Sequence, residues 1–133
     1  MTLHVELVAP EKILHSGEAD MVIARTTDGE IAFMTGHAPF IGSLGIGAVT
    51  IRASEGDDVV AAVHAGFVEV TDDRVTILSD VAELVDDIDA SRAQRALERA
   101  EEARGGVGDD EEAQQQADAA VRRARLRVEL AEG

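Results

Sequence analysis

Alternating apolar and polar positions open the chain and continue in short runs through its first two thirds. Leu3, Val5 and Leu7 are spaced two apart, which is typical of a strand with one buried face, and Pro10 ends that strand. Short strands at regular spacing, with no helical pattern between them, favour a β-sandwich or barrel. The further β-prone runs are 21–25, 30–34, 49–53, 59–63, 67–71 and 75–78, and turn-forming residues at 27–29, 54–57 and 71–74 separate them.

Beyond about residue 85 the apolar spacing changes to the 3.6-residue period of a helix. Two stripes, interrupted by glycines at 105, 106 and 108, predict two helices that form an antiparallel hairpin. Asp89 is the expected N-cap of the first helix. The acids 109–112 are expected at the start of the second helix and the arginines 122–127 at its end, where the helix dipole favours each charge. The stripes are Ala90, Ala93, Ala96, Leu97, Ala100 and Ala103, then Ala113, Ala117, Ala120, Val121, Ala124, Val128 and Ala131.

The fold class predicted from these patterns is mostly β plus α, an N-terminal antiparallel β-sandwich followed by a C-terminal two-helix hairpin. The domain boundaries are set at 1–85 and 86–133. Because alanine buries little apolar area, the hairpin is expected to grip any docking surface weakly and to detach from it. A permanently attached appendage is the open alternative.

The glycine-rich segment 42–47 raises the question of a phosphate-binding loop. Such a loop would need a helix directly after it, so that the helix N-terminus meets the phosphate. A strand pattern follows instead, so we expect a turn with close backbone packing.

Composition narrows the chemistry further. The 133 residues include no cysteine, which excludes disulfides and thiolate metal sites, and the histidines show no ligand-like spacing. The net charge of −15 disfavours binding to nucleic acid, and the one basic concentration is four arginines within 122–127. No signal-peptide pattern or run of about 20 apolar residues appears, so membrane association is expected only through other proteins.

Several motifs, in order, carry a family resemblance across most of the chain. With the predicted architecture, they resemble the epsilon subunit of bacterial and chloroplast rotary ATP synthases. Two positions differ from the usual family pattern, since Thr35 replaces a proline and Ala65 replaces the first of two glycines. The motifs are Gly29-Glu30-Ile31, Gly36-His37-Ala38-Pro39, Ala65-Gly66-Phe67-Val68-Glu69-Val70, Val75-Thr76-Ile77-Leu78-Ser79-Asp80 with Ala82-Glu83, and Ile88-Asp89-Ala90-Ser91-Arg92-Ala93.

The resemblance implies a non-catalytic rotor subunit of the proton-translocating synthase, peripheral to the cytoplasmic side of the cell membrane. It implies that the sandwich clamps the gamma subunit and sits on the c-ring, and that Glu30, His37 and Pro39 belong to the c-ring/gamma contact. It also implies that the hairpin restrains ATP hydrolysis in the alpha/beta headpiece. The residues implied to contact acidic loops of the beta subunits are Arg122, Arg123, Arg125 and Arg127.

No cofactor or metal is required, but a regulatory ATP is expected to be possible. Seven residues resemble, or are placed to complete, an ATP site that some family members carry, and the Arg123–Arg127 pair would contact phosphates from one helix face. The alternative is that Asp89 only caps its helix and the arginines contact partners or solvent. The seven are Glu83, Ile88, Asp89, Arg92, Ala93, Arg123 and Arg127.

Two rival functions use other features of the chain. A stand-alone ATP-sensing module would work through closure of the hairpin, without partner subunits. A small β-sandwich enzyme would need an apolar pocket with perturbed acids, which the turn-borne and helix-borne carboxylates of this sequence do not suggest.

Overall fold

The computed structural model describes residues 2–133, and these residues form two compact units. The first unit ends at Leu84 and consists of strands, and the second, Val85–Gly133, consists of helices. This arrangement confirms the predicted β-sandwich followed by a helical hairpin.

Seven strands form the first unit, and three of them are much longer than the sequence pattern predicted. Each of these three strands pairs with at least two others. The strands are β1 Leu3–Ala9, β2 Lys12–Thr26, β3 Gly29–Met34, β4 Phe40–Ala53, β5 Val59–Thr71, β6 Arg74–Leu78 and β7 Ala82–Leu84.

Strand β1 closes the sheet on itself. The sheet runs in the order β1-β6-β5-β4-β2-β3, and β1 also pairs with β2, while β7 pairs with β5. The β1–β6 pairing is parallel, whereas every other pairing among the described strands is antiparallel. The prediction of an antiparallel sandwich therefore holds except at this one pair.

Alternation along the strands places one set of apolar side chains inside the closed sheet. Leu3, Val5 and Leu7 are fully buried, as their two-residue spacing predicted. Phe33 is the largest of the fully buried side chains, and its ring centroid lies 5.4 Å from that of Phe40, which packs against the core. The other buried members of the core include Val22, Val49, Ile51, Val63, Val68, Val70, Val75 and Ile77.

The glycine-rich segment 42–47 lies inside strand β4, so the predicted turn at this segment was wrong. The expected close packing is present, because a Cβ added to Gly47 would lie 2.9 Å from Cβ of Arg25. Glycine is needed at position 47 because a side chain there would collide with the neighbouring strand. The requirement comes from that neighbouring strand, so the local sequence does not reveal it.

A sharp distortion interrupts β5 at Ala65 and Gly66. Ala65 has a φ of 72°, which is unfavourable for a residue with a side chain, and Gly66 has a φ of 147°. The buried Ser79 hydroxyl holds this point by donating to the carbonyl oxygen of Ala65 at 2.6 Å. A Cβ added to Gly66 would lie only 2.1 Å from the carbonyl oxygen of Leu78.

The helical unit begins with a 3-10 turn, Val85–Asp87, and continues as α1, Ala90–Gly105, and α2, Glu111–Glu132. The predicted cap is present, since Asp89 accepts a hydrogen bond from the Arg92 amide at 3.0 Å. Asp110 caps α2 in the same way, through the Glu112 amide at 3.0 Å.

The arginines 122–127 do not end α2, contrary to the prediction. The helix continues to Glu132, and its last turn contains no basic residue. The arginines therefore lie in the helix interior, where the dipole has little effect on them. Apolar spacing that continues through Val128 and Leu130 carries the helix past them.

Substitutions at the β5 distortion should change stability in opposite directions. Ala65→Gly removes the positive-φ strain and should raise the free energy of unfolding by up to about 1 kcal/mol. Gly66→Ala should lower it by about 3 kcal/mol or more, because the added methyl meets backbone that cannot move away. Urea denaturation followed by circular dichroism measures both changes.

Gly56→Ala is the matched control for this pair. Gly56 also has a positive φ, of 88°, but nothing lies within 4 Å of an added Cβ. This variant should lose only the strain energy, about 1 kcal/mol. Equal losses from Gly56→Ala and Gly66→Ala would contradict the steric explanation.

Candidate functional site

The connection between β3 and β4 is a short ordered loop that presents His37. The His37 amide donates to the Met34 carbonyl oxygen at 3.1 Å, which closes a turn. Gly36 sits in that turn with a φ of 84°, a conformation that glycine adopts without strain. The turn hydrogen bond and the conformation of Gly36 therefore shape this loop locally.

Asp73 fastens this loop to a distant hairpin. Asp72 and Asp73 form the two-residue turn between β5 and β6, with φ values of 49° and 60°. The Asp73 carboxylate accepts a hydrogen bond from the Gly36 amide at 2.7 Å. Sequence reasoning placed Asp73 only in a turn, because no local signal connects residues 37 positions apart.

His37 is half-buried and held on two sides. Its ring centroid lies 5.0 Å from that of Phe33 and 6.2 Å from that of Phe40, both in edge-to-face geometry. Its Nδ1 lies 2.7 Å from the Ala38 carbonyl oxygen, so that nitrogen donates to the backbone. Glu30 and Pro39 are exposed. The loop therefore offers a fixed imidazole edge and a proline, and β3 an exposed carboxylate.

A row of apolar side chains crosses the outer surface of the β-unit. Phe67 on β5 pairs with Leu78 on β6, Leu78 pairs with Val8 on β1, and Val8 pairs with Ile13 on β2. Cross-strand partners point to the same side of a sheet, so these four residues, here named the apolar row, adjoin one another. Phe67 is 58% exposed, Leu78 48% and Ile13 59%.

A cleft of about 560 Å3 adjoins the apolar row. Val8, Phe67 and Leu78 line it, together with Pro10, Ala65 and the buried His64. A second row of cross-strand partners runs beside the apolar row and is polar. It consists of Glu69, Thr76 and Glu6. An exposed apolar strip with an adjacent concavity and a polar border is typical of a protein-docking surface.

The residues of the expected ATP site are distributed over both units. Glu83 lies on β7, and its Oε1 is 4.0 Å from Nε2 of the buried His64. The other six residues lie in the helical unit. Ile88 and Ala93 are buried there, whereas Asp89, Arg92 and Arg123 are exposed and Arg127 is half-buried. Because the hairpin is antiparallel, the start of α1 and the end of α2 lie at the same end of that unit.

Helix α2 sorts its four neighbouring arginines into two pairs. At 3.6 residues per turn, Arg122 and Arg125 are about 60° apart, and Arg123 and Arg127 are about 40° apart. The buried stripe of Val121, Ala124 and Val128 runs between the pairs. The single positive patch expected from sequence is therefore two patches on different sides of the helix.

Two kinds of feature are absent from residues 2–133. No helix in this range is long and apolar enough to cross a membrane. In the same range, no group of three or more His, Asp or Glu residues is arranged to hold a metal ion.

Comparisons with known proteins agree over the whole length of the described chain. Residues 2–85 match the β-sandwich domain of the ATP synthase delta/epsilon chain. Residues 86–132 match the long α-helix domain of the same chain.

Individual relatives give the same assignment. The ATP synthase epsilon chain of Thermobifida fusca is 48% identical over 133 residues, covering 98% of this chain and 93% of that one. The epsilon chain of Streptomyces avermitilis is 56% identical over 98 residues, which is 74% of this chain and 79% of the relative.

A solved structure supports the fold. A chain in the mitochondrial ATP synthase of Euglena gracilis superposes with a TM-score of 0.84 at 22% identity, covering 99% of this chain and 82% of that one. With both units matched and a relative of nearly equal length, the chain belongs to the family of ATP synthase epsilon chains, which are non-catalytic stalk subunits of an enzyme complex.

Proposed function

We propose that this chain couples c-ring rotation to the gamma subunit and restrains ATP hydrolysis through its C-terminal helices. The observation that carries the coupling role is the apolar row with its adjoining cleft. A stalk subunit that transmits torque needs a rigid unit with an exposed apolar surface, and the closed sheet supplies both.

The apolar row is the surface that we assign to gamma. Phe67 and Leu78 leave about half of their side-chain area in water, although the sheet interior is well filled. Because about half of each side chain is already covered, burying the rest contributes about 0.7–1.5 kcal/mol per side chain, which is roughly a 3- to 10-fold change in affinity. The cleft beside the row gives a partner side chain a place to insert.

The loop that carries His37 is assigned to the c-ring. Its turn hydrogen bond and the Asp73 bond to Gly36 fix it before binding, which lowers the entropic cost of association. Glu30, exposed at the start of β3, and Pro39 complete this contact. Association with the cell membrane, on its cytoplasmic side, follows from binding to the ring.

The arginines of α2 are assigned to the catalytic headpiece. We propose that Arg122, Arg123, Arg125 and Arg127 meet acidic loops of the beta subunits when the hairpin extends. Guanidinium groups pair with carboxylates through two parallel hydrogen bonds, which gives such a contact both strength and direction. The buried side chains of the hairpin helices are small, namely Ala93, Val121, Ala124 and Val128, which suits an element that changes its neighbours.

A regulatory ATP is the second part of the proposal. Arg123 and Arg127 lie on one face of α2, at the end of the hairpin where α1 begins with Asp89 and Arg92. The Asp89 carboxylate caps α1, and capping is the role that we assign to it before ATP binds. ATP bound at this end would hold the hairpin in one conformation, and its affinity would set how readily the helices extend.

A charge placed in the apolar row should abolish gamma binding without unfolding the β-unit. Phe67→Asp and Leu78→Asp each add a carboxylate to a surface that we expect to be desolvated, so affinity should fall at least about 100-fold. A pull-down of purified gamma subunit, quantified by biolayer interferometry, measures the loss.

Two controls make this test specific. Thr76→Asp adds the same charge to the neighbouring polar row, and Glu30→Gln changes a residue assigned to the ring, so both should bind gamma normally. The assignment fails if Phe67→Asp retains its affinity while circular dichroism shows a folded protein.

Removal of residues 89–133 should leave the complex assembled and raise its ATPase rate. The β-unit keeps its own core, so it should still bind gamma, whereas the inhibitory helices are gone. Steady-state hydrolysis by the reconstituted complex measures the effect. Loss of assembly would contradict the clamp, and an unchanged rate would contradict inhibition.

Calorimetric titration of the full chain with magnesium-free ATP tests the nucleotide. We expect a Kd between about 1 µM and 1 mM. The double variant Arg92→Ala, Arg123→Ala should lose binding, whereas Arg95→Ala, Arg99→Ala removes the same charge from exposed positions of α1 outside the expected site and should retain it. Absence of any heat of binding would leave Asp89 as a cap alone. ATP-driven compaction without partner subunits would favour the stand-alone sensor.

A further inference from the structure

A second concavity lies within the helical hairpin and is lined by arginines from both helices. Its volume is about 470 Å3. Arg104 from α1 and Arg122 and Arg125 from α2 line it, with Gln115, Asp118 and Val121. Small-molecule sites commonly have volumes of roughly 300–1,000 Å3, so the space suits a compact ligand.

The charge inside this arginine cleft is opposite to that of the chain. Three arginines and one aspartate line the cleft, in a protein whose net charge is −15. Asp118 offsets only part of this, because its Oδ1 lies 3.9 Å from Arg104 Nη1 and both side chains are largely exposed. The local excess of positive charge favours an anion over a neutral ligand.

The donors in the cleft fit a phosphate group. Guanidinium presents planar paired N–H donors that match two oxygens of one phosphate, and three of them come from two directions here. The Gln115 side chain adds an amide donor, and the buried Val121 forms an apolar floor.

The arginine cleft is distinct from the proposed ATP contacts. Arg123 and Arg127 lie on the other side of the buried stripe of α2, and neither lines this cleft. Arg104, which completes it, stands at the end of α1 next to the glycine loop, whereas Arg92 stands at the opposite end of that helix.

We propose that the arginine cleft binds a small phosphate-bearing anion. A ligand held by Arg104 on one helix and by Arg122 and Arg125 on the other would link the two helices. Such a ligand would therefore stabilise the packed arrangement of α1 and α2, because a ligand that binds only the folded form raises the stability of that form. This inference does not depend on the proposed rotor function.

The test is an NMR titration of the full chain with sodium pyrophosphate at constant ionic strength. We expect saturable shifts of the amides around Arg104, Gln115 and Arg122. Arg122→Gln with Arg125→Gln should weaken binding by about tenfold or more, because charge-assisted hydrogen bonds are lost. Arg95→Gln with Arg99→Gln is the matched control and should stay within about twofold of the parent, because both residues are exposed on α1 and neither lines the cleft.

A third variant guards against loss of folding. Asp118→Asn removes the acid that opposes the anion, so it should tighten binding, which an unfolded hairpin cannot do. A parallel titration with ribose 5-phosphate compares a sugar-borne phosphate with an inorganic one. The probe with the lower Kd shows which of the two the cleft prefers. Linear, non-saturating shifts with both probes, or equal losses in the two arginine double variants, would overturn the proposal.

Discussion

The double pairing of β1 is the constraint on which the rest of the β-unit depends. By pairing antiparallel with β2 and parallel with β6, this strand closes the sheet and leaves Leu3, Val5 and Leu7 with no exposure to water. Closure also removes free edges on β1, β2 and β6, which lowers the risk of pairing with other chains. A rigid closed sheet can transmit force, because its strands cannot slide without losing many hydrogen bonds at once.

Closure also creates the surface through which the unit is proposed to act. The four members of the apolar row come from four strands, and Ile13 and Phe67 are separated by 54 positions in the sequence. They adjoin only because the register of three successive pairings aligns them. A different register, the β4–β5 pairing of Phe40 with Val70, brings Asp73 near Gly36, so that the β5–β6 turn fastens the loop between β3 and β4.

The hairpin follows a different physical principle. Its helices are capped at both starts by aspartates, and its packing relies on alanine and valine rather than on large side chains. Strong local order with modest packing suits an element that keeps its helices while it changes position. The helical repeat then places its arginines on two sides of α2, since Arg122 and Arg125 line a cleft with Arg104, whereas Arg123 and Arg127 do not line it.

The sequence by itself determined the fold class, the family, the buried alternation of β1, the Asp89 cap and the glycine break between the helices, because each rests on contacts close along the chain. It misjudged the segment 42–47, where neighbouring strands decided the outcome, and it placed the arginines 122–127 at the end of α2, although the helix continues past them to Glu132. The apolar row, the Asp73–Gly36 bond and the arginine cleft were decided by tertiary structure alone. Each joins residues that are distant in sequence, and only strand register and helix packing bring such residues together.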